Sequence, residues 1–130
     1  MSKRGGGADQ RLRILSGRHE LAVHSLARCA ESFTVSYSIA PPLPDHDPGS
    51  APSSAHPVFM WLEAVDDLGN RYEDFGGARG LSPDGRRTTG SIAGQPGLPP
   101  EAVSLTVRFT FVVGAEELTD ELTLPVPAVR

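Results

Sequence analysis

A chain of 130 residues with net charge −4 and 31 Leu, Ile, Val or Phe residues has the size of one domain and enough apolar side chains for a core. Its longest apolar run, Val58-Phe59-Met60-Trp61-Leu62, is far too short for a membrane-spanning helix. A single cysteine, Cys29, excludes a disulfide framework, and 26 Gly and Pro residues point to many turns rather than to a coiled coil.

The charge is unevenly placed. Residues 1–30 carry six bases against Asp9 and Glu20, whereas residues 31–130 carry six arginines against fourteen acids. An acidic body repels a phosphate backbone, so no nucleic-acid partner is expected. Lys3 is the one lysine, and its place at the terminus argues against Schiff-base and P-loop chemistry. The basic start lacks the apolar stretch of a signal peptide, so the expected location is cytoplasmic, with no membrane partner. Residues 1–19 are expected to form a basic, partly flexible segment and 20–130 the domain.

Glu20–Glu31 has both helical spacing, through Ala22, Leu26, Cys29 and Phe33, and a strand phase, with Leu21 and Val23 inward and a bulge near His24 and Ser25. The strand is preferred because everything after it reads as β. Phe33–Ile39 alternates large apolar with small hydroxyl residues, the mark of a strand with one buried face. Pro41–Pro57 follows with six prolines and no periodicity, a connection of the length associated with function or disorder. Val58–Val65 opens apolar on both faces and is expected to be central in its sheet. Asp66-Asp67-Leu68-Gly69 fits a hairpin turn with glycine in the left-handed region, and Asn70–Phe75 returns. Gly76–Gly85 reads as a glycine-rich connection, Arg87–Ala93 as a weak strand anchored by Ile92, and Gln95–Glu101 as a third loop. Val103–Val113 alternates strictly. After Gly114-Ala115-Glu116-Glu117 the last strand, Leu118–Val126, carries Asp120 on its apolar face, and Pro125 and Pro127 put it at a sheet edge.

Seven strands from Glu20 onward, with turns at this spacing, predict an all-β antiparallel sandwich. With Trp61 in the third strand, the chain resembles an immunoglobulin-like β-sandwich and small uncharacterised bacterial sandwich modules. It departs from antibody-type domains in lacking the inter-sheet cysteine pair and the tyrosine of the sixth strand. The resemblance is architectural and carries over no functional residue. The expected core is Phe33, Val35, Tyr37, Ile39, Met60, Trp61, Leu62, Leu105, Val107, Phe109, Leu122 and Leu124.

Several constellations invite chemistry. Asp45-His46-Asp47 with His56 offers imidazole and carboxylate for a metal, yet the spacing matches no known ligand set. Asp66, Asp67, Asn70, Glu73 and Asp74 are oxygen-rich, but adjacent acids on a strand point to opposite sides, so a charged hairpin tip is preferred over a calcium site. Neither a nucleophile elbow nor a phosphate-binding glycine loop is present. Cys29 reads as a core residue and Trp61 likewise, with a sugar-stacking platform as its alternative role if exposed. The expected function is therefore a non-enzymatic binding module without a cofactor. It would take a protein partner, basic in character, at the end where the second, fourth and sixth connections gather: Asp45, His46, Asp47, His56, Asp84, Glu116 and Glu117. The alternatives are a small metal-dependent or hydrolytic enzyme using His46 and His56, and a subunit that self-associates through an edge strand.

Overall fold

A computed structural model describes residues 10–43 and 58–128. Eight strands account for most of them: β1 (Gln10–Ile14), β2 (His19–Arg28), β3 (Phe33–Ala40), β4 (Val58–Asp66), β5 (Arg71–Leu81), β6 (Thr88–Gln95), β7 (Ser104–Val113) and β8 (Glu116–Pro125). Every pairing is antiparallel, and the hydrogen-bonded order is β1-β2-β3-β6-β5-β4-β7-β8. Among the described residues there is no helix, hence none long and apolar enough to cross a membrane.

One strand turns this row into a sandwich. The first residues of β5 pair with β4 through Glu63↔Glu73, Ala64↔Tyr72 and Val65↔Arg71. From Glu73 to Leu81 it pairs with β6 instead, across a bulge between Asp74 and Gly76, where Gly76 takes φ 109°. A bulge with glycine in that region bends a strand and increases its twist. The row therefore folds into a β1-β2-β3-β6-β5 layer and a β5-β4-β7-β8 layer, and β1 comes to lie against β8. Strands β2 to β8 reproduce the seven-strand immunoglobulin-like arrangement, with β1 added at one edge.

The phase of each strand fills the space between the layers. Phe33, Val35, Ile39, Leu62, Leu105, Val107, Phe109 and Phe111 are fully buried, and the Phe33 ring meets Tyr72 edge-on at 5.5 Å between centroids. A side chain on Gly94 would collide with the tip of the Phe33 ring, so the glycine in β6 makes room for that ring in the core. At the far end, Arg28 of β2 donates to the carbonyls of Pro127 (2.6 Å), Leu98 (3.1 Å), Pro99 (3.3 Å) and Ala102 (3.4 Å). It thereby ties the first layer to the β6–β7 connection and to the chain's last described residues.

The strand reading of Glu20–Glu31 holds, bulge included, since the register of β2 shifts between Val23 and Ser25. Within the segment 1–19, Gln10–Ile14 form β1, because Leu12 and Ile14 add to the apolar inner face. Other expectations need correction. Gly76–Leu81 is strand, not loop, because β6 is itself poor in side chains and the two backbones approach closely; the turn is confined to residues 82–87. Glu116 and Glu117 begin β8, leaving a two-residue turn at Gly114 and Ala115. Met60 and Leu122 are only partly buried, and Trp61 is exposed. Cys29 is exposed in the turn between β2 and β3, where its N–H donates to the Ser32 carbonyl.

Candidate site on the outer face of the β4-β7-β8 layer

The β4–β5 hairpin concentrates the polar groups, and its aspartates are committed to structure. Asp66 is 5% exposed, and its carboxylate accepts from the N–H groups of Leu68 and Asn70, from the Asn70 side chain and from the Tyr72 hydroxyl at 2.7 Å. Burial works to raise its pKa, but these donors outweigh it, and the carboxyl lies below its ordinary range. Burial, followed by the bond to Asp66, raises the Tyr72 hydroxyl well above the ordinary tyrosine value. Asp67 accepts from the N–H groups of Val103 and Ser104, which hold its pKa down and pin the hairpin to the start of β7. Asp74 accepts from Leu62 N–H (3.0 Å) and Gly76 N–H (2.7 Å) at the bulge. Oxygens occupied in this way make a turn, not a calcium cage. Among the described residues no three His, Cys, Asp or Glu side chains converge as metal ligands.

The outer face of the same layer has a different character. β4 alternates inward Val58, Leu62 and Ala64 with outward Phe59, Trp61, Glu63 and Val65. Its register with β7 and β8 gives four rows: Phe59–Val112–Glu117, Trp61–Thr110–Thr119, Glu63–Arg108–Glu121 and Val65–Thr106–Thr123. Phe59 is 60% exposed and Trp61 36%, and Phe75, two residues beyond Glu73 on β5, is 60% exposed. Phe59 and Trp61 stand on one side of the sheet, and Phe75 is exposed at the nearby β5 bulge; exposed large aromatics, where solvation costs free energy, are the usual mark of an interaction surface. Arg108 reaches Glu121 through Nη2 (2.9 Å) and Nε (3.1 Å), and Glu63 only at 3.9 Å. The threonine hydroxyls bond to each other, Thr106 with Thr123 and Thr110 with Thr119. A hollow of about 400 Å3 is bordered by Glu63, Arg71, Glu73, Arg108 and Glu121 among others.

Of the described residues singled out from sequence, Glu117 falls in a row of this face. Asp45, His46, Asp47 and His56 lie outside the described residues. The chain on either side of them is fixed by Leu43 N–H on the Thr88 hydroxyl (2.9 Å) and by Val58 opposite Val113. Asp84 closes the β5–β6 turn, accepting from the Ser82 hydroxyl (2.6 Å) and Arg86 N–H (3.0 Å); these bonds lower its pKa. Glu116 and Glu117 are exposed at the start of β8, and Glu117 shares a row with Phe59. Asp120, on the inner side of β8, has its pKa raised by burial. The exposure of Trp61 departs from its expected place in the core, although the sequence holds a signal for it: Glu63 fixes the phase of β4, and counting back by two puts Trp61 and Phe59 on its side.

No protein-family model matches this sequence, and no curated protein matches it. Two bacterial crystal structures share its shape. A DUF4426 family protein from Pseudomonas aeruginosa PAO1 aligns over 95% of this chain and 99% of its own, at 9% identity and TM-score 0.53. The conserved domain protein from Bacillus anthracis aligns over 92% of this chain at 18% identity and TM-score 0.54; this chain spans 49% of its length. The expected likeness to small bacterial sandwich modules thus holds as a likeness of fold. The GAE domain of GGA2p from Saccharomyces cerevisiae covers 94% of the chain at TM-score 0.37, a likeness too loose to carry an argument.

Proposed function

We propose that this protein is a non-catalytic binding module that docks a protein partner on the outer face of its β4-β7-β8 layer. The observation that carries the reading is the exposed aromatic pair Phe59 and Trp61 on an otherwise hydrogen-bonded, charged sheet face. A sugar ligand, the alternative role for Trp61, is less well served: the other ring on this face is phenylalanine, and the nearby threonine hydroxyls are already paired. The acids Asp84, Glu116 and Glu117 at the loop end contribute here only through Glu117, which borders the aromatic row.

The test compares wild type with Phe59→Ser/Trp61→Ser. Proteins retained by the wild type in a pull-down are identified by mass spectrometry, purified and titrated against both forms. The double variant should keep its far-UV circular dichroism and lose affinity by about a hundredfold, the effect of removing aromatic anchors from an interface. Unchanged affinity would move the docking surface elsewhere.

A further inference from the structure

On the reading just given, we infer that the partner presents an extended segment in which a bulky apolar side chain is neighboured by lysine or arginine, and that this cation enters the hollow between Glu63 and Glu73.

The route of docking follows from the edge of β4. Between Val58 and Leu62 no described strand pairs with β4 on the side away from β7. That edge would accept an added strand if its groups were available. Instead, the Asp74 carboxylate accepts Leu62 N–H, and the Arg79 guanidinium donates to the Val58 carbonyl. Side chains standing where a strand would pair block strand addition, a common protection of sheet edges. The exposed aromatics must therefore be approached over the face.

Charge then selects the occupant. Glu63 and Glu73 are direct cross-strand partners, a like-charge pair that opposes folding locally. Arg108 is engaged by Glu121 and meets Glu63 only at 3.9 Å; the side chains of Arg71 and Glu73 take part in no hydrogen bond or ion pair among the described residues. The face as a whole carries Glu63, Glu73, Glu117 and Glu121 against Arg71 and Arg108. Two copies stacked by this face would set acidic surface against acidic surface, which disfavours a second copy of the chain. A cation supplied by the partner relieves the Glu63–Glu73 repulsion. Trp61, two residues before Glu63 on the same side, adds a ring whose face attracts the same charge.

The experiment uses Trp61, the one tryptophan of the chain, as a fluorescent reporter at the site. Synthetic peptides of about ten residues alternating Phe–Lys, Phe–Glu or Ser–Lys are titrated into the full chain. The Phe–Lys peptide should bind, with Ser–Lys at least about tenfold weaker and Phe–Glu weaker still. Glu63→Gln/Glu73→Gln should weaken Phe–Lys binding by about tenfold, whereas Glu31→Gln/Glu101→Gln, the same change of charge in exposed turns off this face, should alter it by less than about twofold. Equal losses in both double variants would reduce the effect to net charge and overturn the inference, as would tighter binding of Phe–Glu. No binding of Phe–Lys overturns it too, while the docking face stands or falls separately on the response of the captured partner to Phe59→Ser/Trp61→Ser.

Discussion

Phe59 and Phe109 sit on neighbouring strands of one sheet, and nothing in their chemistry distinguishes them. Phe109 is fully buried opposite Leu62, whereas Phe59 is 60% exposed beside Val112. What separates them is strand phase, and phase is set by neighbours such as Glu63 and Arg108 that must face water. Apolar content therefore states how much surface could be buried, and alternation states which part is. The acids of the β4–β5 hairpin divide along the same line. Asp66, Asp67 and Asp74, short side chains at the turn or bulge, fold back onto backbone N–H groups. Glu63 and Glu73 stand on the outer face with that role unfilled.

The sharpest test of the contrast is the inner phenylalanine. Phe109→Ala should cost about 3–5 kcal/mol in chemical denaturation, the range for emptying an aromatic site in a packed core. A change within a degree of the wild-type Tm would mean that the phase of β7 is reversed.

Next in size is Asp66→Ala, which leaves the buried Tyr72 hydroxyl and two N–H groups without their acceptor; about 3 kcal/mol is expected. This carboxyl is more acidic folded than unfolded, so its contribution is complete above the unfolded pKa near 4 and fades as the pH falls through the lower folded value. Denaturation midpoints measured from pH 6 down to pH 2 should fall less steeply in Asp66→Asn than in wild type. Parallel curves would remove Asp66 from the acid response.

Arg28→Ala should cost about 2 kcal/mol, since four carbonyls lose a charged donor at a partly solvated site. Arg28→Lys should recover little of it, because a single ammonium lacks the planar fork that reaches several acceptors at once. Full rescue by lysine, seen in thermal melts, would show that charge alone matters there.

A smaller change of opposite sign is expected at Asp120, whose pKa burial raises above the unfolded value. Stability is lost there as the pH rises through the window just above pH 4, so Asp120→Asn should melt slightly higher than wild type at pH 7 and equally at pH 3. The smallest effect belongs to the outer ring: Phe59→Ala should stay within about 0.5 kcal/mol of wild type, as expected for a side chain with little to lose. A cost near that of Phe109→Ala would erase the contrast between the two faces.

Much of the architecture was legible from alternation alone. Phe33–Ile39 and Val103–Val113 announce their buried faces, and the β2 bulge followed from the need to bring both Val23 and Leu26 inward. The glycine-rich length of β5 was not legible, because its pairing with β6 depends on close backbone approach, which leaves no apolar pattern. Trp61 misled for a related reason: an unbroken apolar run looks buried on both sides, and only extending the phase from Glu63 shows otherwise. The Arg28 clamp joins residues about seventy and a hundred positions apart, beyond any local signal. Asp84 stands out by charge and chain position, and neither quantity reports that the Ser82 hydroxyl and Arg86 N–H already occupy its carboxylate.

The passage of β5 from one layer to the other has a consequence for how the molecule comes apart. Because one continuous strand is bonded to β4 at its start and to β6 along the rest, neither layer can open without pulling on the other. Amides at Tyr72 and at Ala78 should therefore exchange with solvent on the same slow timescale, as members of one cooperative unit rather than of two leaflets that breathe separately.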